Sequence, residues 1–138
     1  MHVIADEANF TIAMEPEKRL LRISIRGYWD ETIVNAYDDK IREAGALMVS
    51  AGCPRNRILT LVDARGANVQ SQELLEEYRK RFNQADRQPE RSATVVSSVL
   101  FKLQVERVAL PNQRIFQDLD GALEWLLTDA ADMDTVLS

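Results

Sequence analysis

The sequence predicts a layered α/β domain, with a mixed sheet of four to five strands and four helices in the order β-β-α-β-α-β-α-β-α. Three observations carry this. Residues 10–27 alternate apolar and polar with a period of two, four later segments show helical spacing, and short apolar runs separate those segments. A strand followed by a helix and a further strand is the wiring of a parallel sheet, because parallel neighbours need a crossover.

The opening hairpin is read from Phe10 to Gly27. The charged stretch Glu15-Pro16-Glu17-Lys18 makes its turn, and Leu21, Ile23 and Ile25 alternate with Arg22, Ser24 and Arg26. Asp30 can cap a first helix whose apolar stripe is Ile33, Tyr37, Ile41, Ala44 and Met48, and Gly52 and Pro54 stop it. Ile58-Leu59-Thr60-Leu61-Val62-Asp63 is apolar almost throughout, as suits a strand covered on both faces. A loop over residues 64–70 leads to Ser71, the cap of a second helix with Leu74, Leu75, Tyr78 and Phe82 inside. Residues 91–97 give a short strand, a third helix runs over 99–109, and Pro111 ends it. Arg114-Ile115-Phe116 is a last strand, and Asp118 caps a final helix carrying Ala122, Leu123, Trp125, Leu126 and Leu127.

With 138 residues the chain is the size of one domain, expected over 8–128, with residues 129–138 as an acidic, frayed C-terminal tail. Its 17 basic and 22 acidic residues give a net charge of −5, which argues against a general nucleic-acid binder. No apolar run is long enough to span a bilayer, and the first residues lack the basic and apolar regions of a signal peptide. The single cysteine, Cys53, excludes an internal disulfide and suits a reducing, cytoplasmic setting.

Catalytic signatures are missing. There is no Gly-rich phosphate loop and no Gly-x-Ser-x-Gly elbow, and the only histidine, His2, lies in a terminus read as frayed. The expectation is a protein with no catalytic residues, no metal site and no cofactor. Cys53 precedes Arg55 and Arg57, which would lower a thiol pKa, although a small residue in a turn is the favoured reading. Asp63 and Arg65 sit where a buried strand leaves the sheet, the place where open α/β sheets bind ligands. They either present a charge pair to a ligand or tie down the loop. Ser71 and the pair Ser97-Ser98 stand at helix starts, where a hydroxyl caps the backbone or meets an anion.

The third helix has two apolar stripes. Val99, Leu100, Leu103 and Leu110 form one, and Phe101, Val105 and Val108 the other. The second stripe is the candidate homodimer or partner face, with burial inside the domain as the competing reading. Arg79-Lys80-Arg81, Arg87 and Arg91 form a local basic patch or a solvated helix face. Tyr28-Trp29 either projects as a contact or clamps the first helix.

The element order, the segment Leu21-Arg22-Ile23-Ser24-Ile25-Arg26-Gly27-Tyr28-Trp29-Asp30 before a long helix, and Ile58-Leu59-Thr60-Leu61-Val62-Asp63 before a loop and helix resemble the STAS, or SpoIIAA-like, domain superfamily. That superfamily includes antagonists of anti-sigma factors, modules attached to anion transporters and stand-alone bacterial proteins. The resemblance implies a non-enzymatic regulatory or ligand-binding module. Its candidate ligand or partner residues are Asp63, Arg65, Ser71 and Ser98, and its partner is a protein or a small anionic, apolar or lipid ligand. The antagonists carry an Asp-Ser-Ser/Thr-Gly-like motif whose hydroxyl is phosphorylated. Here the stretch is Val69-Gln70-Ser71-Gln72-Glu73, with Ser71 as the nearby hydroxyl and without the flanking Asp or Gly. The alternative from another class is a small hydrolase or transferase using Asp63 as acid or base.

Overall fold

A computed structural model of the chain describes residues 1–108 and 110–128. Six strands form one sheet in sequential order: β1 (His2–Asp6), β2 (Phe10–Glu15), β3 (Leu20–Gly27), β4 (Leu59–Ala67), β5 (Arg91–Val95) and β6 (Gln113–Phe116). The first three are antiparallel, and β3 to β6 run parallel. Between and after the parallel strands lie α1 (Glu31–Ser50), α2 (Gln72–Phe82), α3 (Val99–Val108) and α4 (Leu119–Leu127). The mixed sheet and four helices match the expected class, with one strand more than foreseen.

The added strand is β1. It pairs antiparallel with β2, so His2 is a strand residue and not part of a frayed end. It escaped the sequence reading because an edge strand covers little core. Only Ala5 of its five residues is buried, so no alternation marks it. The segment expected as a tail, 129–138, lies outside the described residues.

The sequential strand order decides where the helices go. Right-handed crossovers that step each time to the next strand in one direction place every connecting helix on the same face. Accordingly α1, α2 and α3 share one core with Ile12, Ile23 and Val62. Helix α4 follows the last strand and is bound by no crossover. It covers the opposite face, where Ala122 and Leu126 pack on Leu20, Leu59, Leu61 and Val95. β4 alternates between the two cores, which explains its nearly unbroken apolar sequence.

The larger core is anchored by aromatics. Tyr37 of α1 is fully buried, with Phe10, Trp29 and Phe82 within 5.0–5.6 Å of it, centroid to centroid. Burial pushes its phenol well above the usual tyrosine range, so the ring stays neutral. Beside it Asp38 accepts from Arg87 at 2.6 Å, and Arg87 lies over the Phe82 ring at 4.5 Å. These contacts fasten the segment before β5 to α1.

Candidate functional site

The C-terminal ends of β3, β4 and β5 open into three loops that meet in a rim. Gly27 ends β3 with φ +78°, a left-handed turn that a Cβ would strain, and its carbonyl is thereby offered to the next loop. Gln70, buried at 8% exposure, holds the rim together. Its side-chain amide donates to Gly27 O at 2.9 Å and to Asn68 O at 2.7 Å, and its Oε1 accepts from Trp29 N at 2.8 Å. Its backbone pairs reciprocally with the Gln104 side chain of α3, at 2.8 and 2.7 Å. One side chain thus joins the loop before α1, the loop before α2 and, through its backbone, α3. Sequence reasoning passed over Gln70 because glutamine is normally a surface residue. Its position just before the cap Ser71 was the only signal.

The sequence-predicted residues divide. β4 extends to Ala67, so Arg65 joins Asp63 as a strand residue rather than lying in the loop expected over 64–70. They bind one another: Arg65 Nε donates to Asp63 Oδ1 at 2.9 Å and its terminal nitrogen to Oδ2 at 2.8 Å. The Arg65 guanidinium holds the Asp63 carboxyl below the usual carboxylate range. Both oxygens of the carboxylate are thus engaged by the one guanidinium. The neighbouring Ser97 Oγ donates to Arg65 O at 3.2 Å, tying the β4 end to the loop before α3.

Both predicted cap serines act as caps. Ser71 Oγ accepts from Leu74 N at 3.1 Å, and Ser98 Oγ accepts from Phe101 N at 3.2 Å. Cys53 is buried, and burial pushes its thiol up against the opposing pull of Arg19 and Arg57. The expected basic patch is dispersed: Arg81 and Arg87 pair with Asp38, while Arg91 pairs with Glu90. Tyr28 projects into solvent, whereas Trp29 is buried and clamps the loop by donating from Nε1 to Arg26 O at 3.0 Å.

The two stripes of α3 are reversed relative to the candidate partner face. Phe101, Val105 and Val108 turn inward, at 5–8% exposure, and line a cavity of about 80 Å³ between the sheet, α2 and α3. This burial places the three side chains in the core rather than on a free face. The physical reason is the start of the helix. Ser98 caps at Phe101 N and Gln104 is held by Gln70, which together fix the rotation of α3 about its axis. Val99, Leu100 and Leu103 are left outside at 72%, 64% and 48% exposure.

The cavity walls are Ile25, Trp29, Val62, Leu74 and Phe101, with Gln70, Thr94 and Gln113 as polar exceptions. Gln113 donates to Thr94 Oγ1 at 2.7 Å and accepts from Leu110 N, so these polar groups are engaged with one another. None of Asp63, Arg65, Ser71 and Ser98 lines this cavity. Among the described residues no cluster of three or more metal-ligating side chains occurs, and no helix is long and apolar enough to cross a membrane.

No protein-family model and no curated protein matches the sequence. Solved structures do. An uncharacterized DUF3478-family protein from Shewanella loihica PV-4, described as SpoIIAA-like in fold, superposes with a TM-score of 0.55 at 18% identity. That likeness covers 88% of this chain and 97% of the other. An anti-sigma factor antagonist from Mycobacterium paratuberculosis superposes with a TM-score of 0.58 at 13% identity, over 90% of this chain and 99% of that one. With its sequential mixed sheet, three helices on one face and one on the other, the chain has a SpoIIAA-like fold.

Proposed function

We propose that this protein is a non-enzymatic regulatory module that docks a protein partner on the outer stripe of α3, beside the rim formed by the strand ends. The observation that carries the reading is the exposure of Val99, Leu100 and Leu103 within two turns of one helix. Ser98 stands at the start of this helix, a polar neighbour beside an apolar centre, as at the margin of an interface. Similarity of fold to an anti-sigma factor antagonist supports a regulatory role acting through protein contact. The test is affinity capture from the protein's own host with wild type and with the double variant Leu100→Asp, Leu103→Asp. A partner retained by the wild type and lost by the variant, with equal melting temperatures, is the expected result. Identical retained sets would overturn the reading.

A second reading is favoured by the cavity itself. An apolar space under α3, bordered by α2, suits a small apolar ligand, and its occupancy would alter how firmly α3 is seated. Native mass spectrometry of freshly purified protein would show a bound molecule as added mass that is lost on denaturation.

A further inference from the structure

A sheet with its strands in sequential order has two free edges, here β1 and β6. They differ. β1 breaks register between Val3 and Ala5, and such a bulge twists an edge out of the shape a further strand needs. β6 pairs with β5 in unbroken parallel register, from Ser92 opposite Gln113 to Val95 opposite Phe116. Ser92 N donates to Asn112 O and Val96 N to Phe116 O, both at 2.9 Å, so the even-numbered residues turn their backbone toward β5. The period of two then turns the N–H and C=O of Gln113 and Ile115 outward, where no strand of the described residues lies.

The side chains beside this edge divide between its two faces. Ile115 packs, partly buried, against the larger core. On the other face Phe116 meets Trp125 of α4 at 5.7 Å between centroids. The Arg114 guanidinium lies 5.1 Å from the Phe116 ring and 5.9 Å from the Trp125 ring. Arg114 is exposed, and among the described residues no carboxylate pairs with it. Stacking on the rings occupies a face of the guanidinium and leaves its N–H rim open.

We propose that β6 takes up, as an added strand, an extended segment of a partner protein that carries a carboxylate. The outward backbone groups of Gln113 and Ile115 supply attachment, and alternate side chains of the segment supply selection. An acidic residue set opposite Arg114 stands about 5 Å away across the pair, whereas a basic one there is repelled. A four-residue edge covers far less than the roughly 800 Å² a side of a stable dimer, so the occupant is a peptide segment and not a second copy. A charge on an edge strand also serves elsewhere to repel further strands. The two roles predict opposite effects of removing Arg114.

The test is an NMR titration of the isotope-labelled protein, at about 0.1 M salt, with the peptide acetyl-Thr-Val-Glu-Val-Thr-amide. Its glutamate and its valines lie on opposite faces of a strand. Amide shifts are expected at residues 113–117 and at the Trp125 indole, saturating below about 5 mM, with slowed exchange of the Ile115 N–H. The analogue with lysine for glutamate is expected to bind about threefold more weakly, and an analogue N-methylated at its three central residues not to saturate. Arg114→Gln, a change at an exposed side chain, is expected to abolish the preference by weakening the glutamate peptide. Tighter binding of both peptides by Arg114→Gln would make Arg114 a guard of the edge and overturn the proposal. The double variant Leu100→Asp, Leu103→Asp is expected to bind the peptide as wild type does, so this proposal and the α3 reading fail separately. Absence of saturation, equal binding of the N-methylated analogue, or shifts centred on α3 would each overturn it. So would a concentration-dependent dimer that protects the Ile115 N–H without peptide.

Discussion

The two ends of the parallel strands are held by different physics. At the C-terminal end, three loops are joined by neutral amides, with Gln70 at the centre and Gln104 answering from α3. At the N-terminal end, arginines from three segments gather around Glu90. A buried amide network is short-ranged and blind to salt, and it loses much when one member goes, because its partners stay buried and unpaired. An ion cluster at the surface is screened by salt and loses little per pair. The first construction fixes shape. The second gathers like charges around one carboxylate.

Gln70→Leu is the sharpest way to break the comparison. It removes the acceptor of Trp29 N and the donors to Gly27 O and Asn68 O, leaving groups without partners where the chain is largely buried. The expected loss is about 3 kcal/mol in a denaturant titration, with little dependence on salt. A loss below about 1 kcal/mol would mean that water replaces the amide and that the rim is softer than its geometry implies.

How much of this was legible in the sequence follows the same division. The hairpin, α1 and the central strand were readable, because period-two and helical spacings record which side chains meet the core. Both cap serines and Asp30 were legible for a local reason, since a cap acts within three residues. The inner face of α3 was not. Both stripes are apolar, and only the pairing of Gln104 with Gln70, across 34 residues, fixes the rotation of the helix. The arginine cluster was equally hidden. Its members come from residues 19, 57 and 90–91, which the parallel topology alone brings to one end of the sheet. Asp63 was read at the end of the strand but Arg65 in the loop after it, because the strand continues past the apolar run through residues that bury little surface.

Glu90→Gln probes the charged end and is expected to have an intermediate effect. Removing the one carboxylate shared by Arg19, Arg57 and Arg91 leaves their repulsion uncompensated. A loss of about 1 kcal/mol is expected at low ionic strength, shrinking at about 1 M salt as the charges are screened. A variant that loses stability equally at all salt concentrations would show that Glu90 acts by packing, and the contrast between the two ends would fail.

Asp63→Asn carries the smallest effect and locates the boundary between the two regimes, because this ion pair sits at the amide-built end. Arg65, by hydrogen bonding foremost, lowers the folded-state pKa of Asp63 below its unfolded value. The stability it contributes is therefore complete above the unfolded carboxyl pKa of about 4 and is lost as pH falls through the folded value. Since both partners are partly exposed, Arg65 the more so, screening leaves about 0.3 kcal/mol at neutral pH. The melting curves of wild type and Asp63→Asn should differ slightly at neutral pH and converge on acidification below about pH 4. An asparagine oxygen can also accept from Arg65 N, which donates to Asp63 Oδ1 at 3.2 Å, so a gap that persisted unchanged in acid would assign the effect to the fit of the side chain and not to its charge. Asp63 would then belong with Gln70 as a neutral tie that shapes the rim, and the rim would depend on charge nowhere along β4.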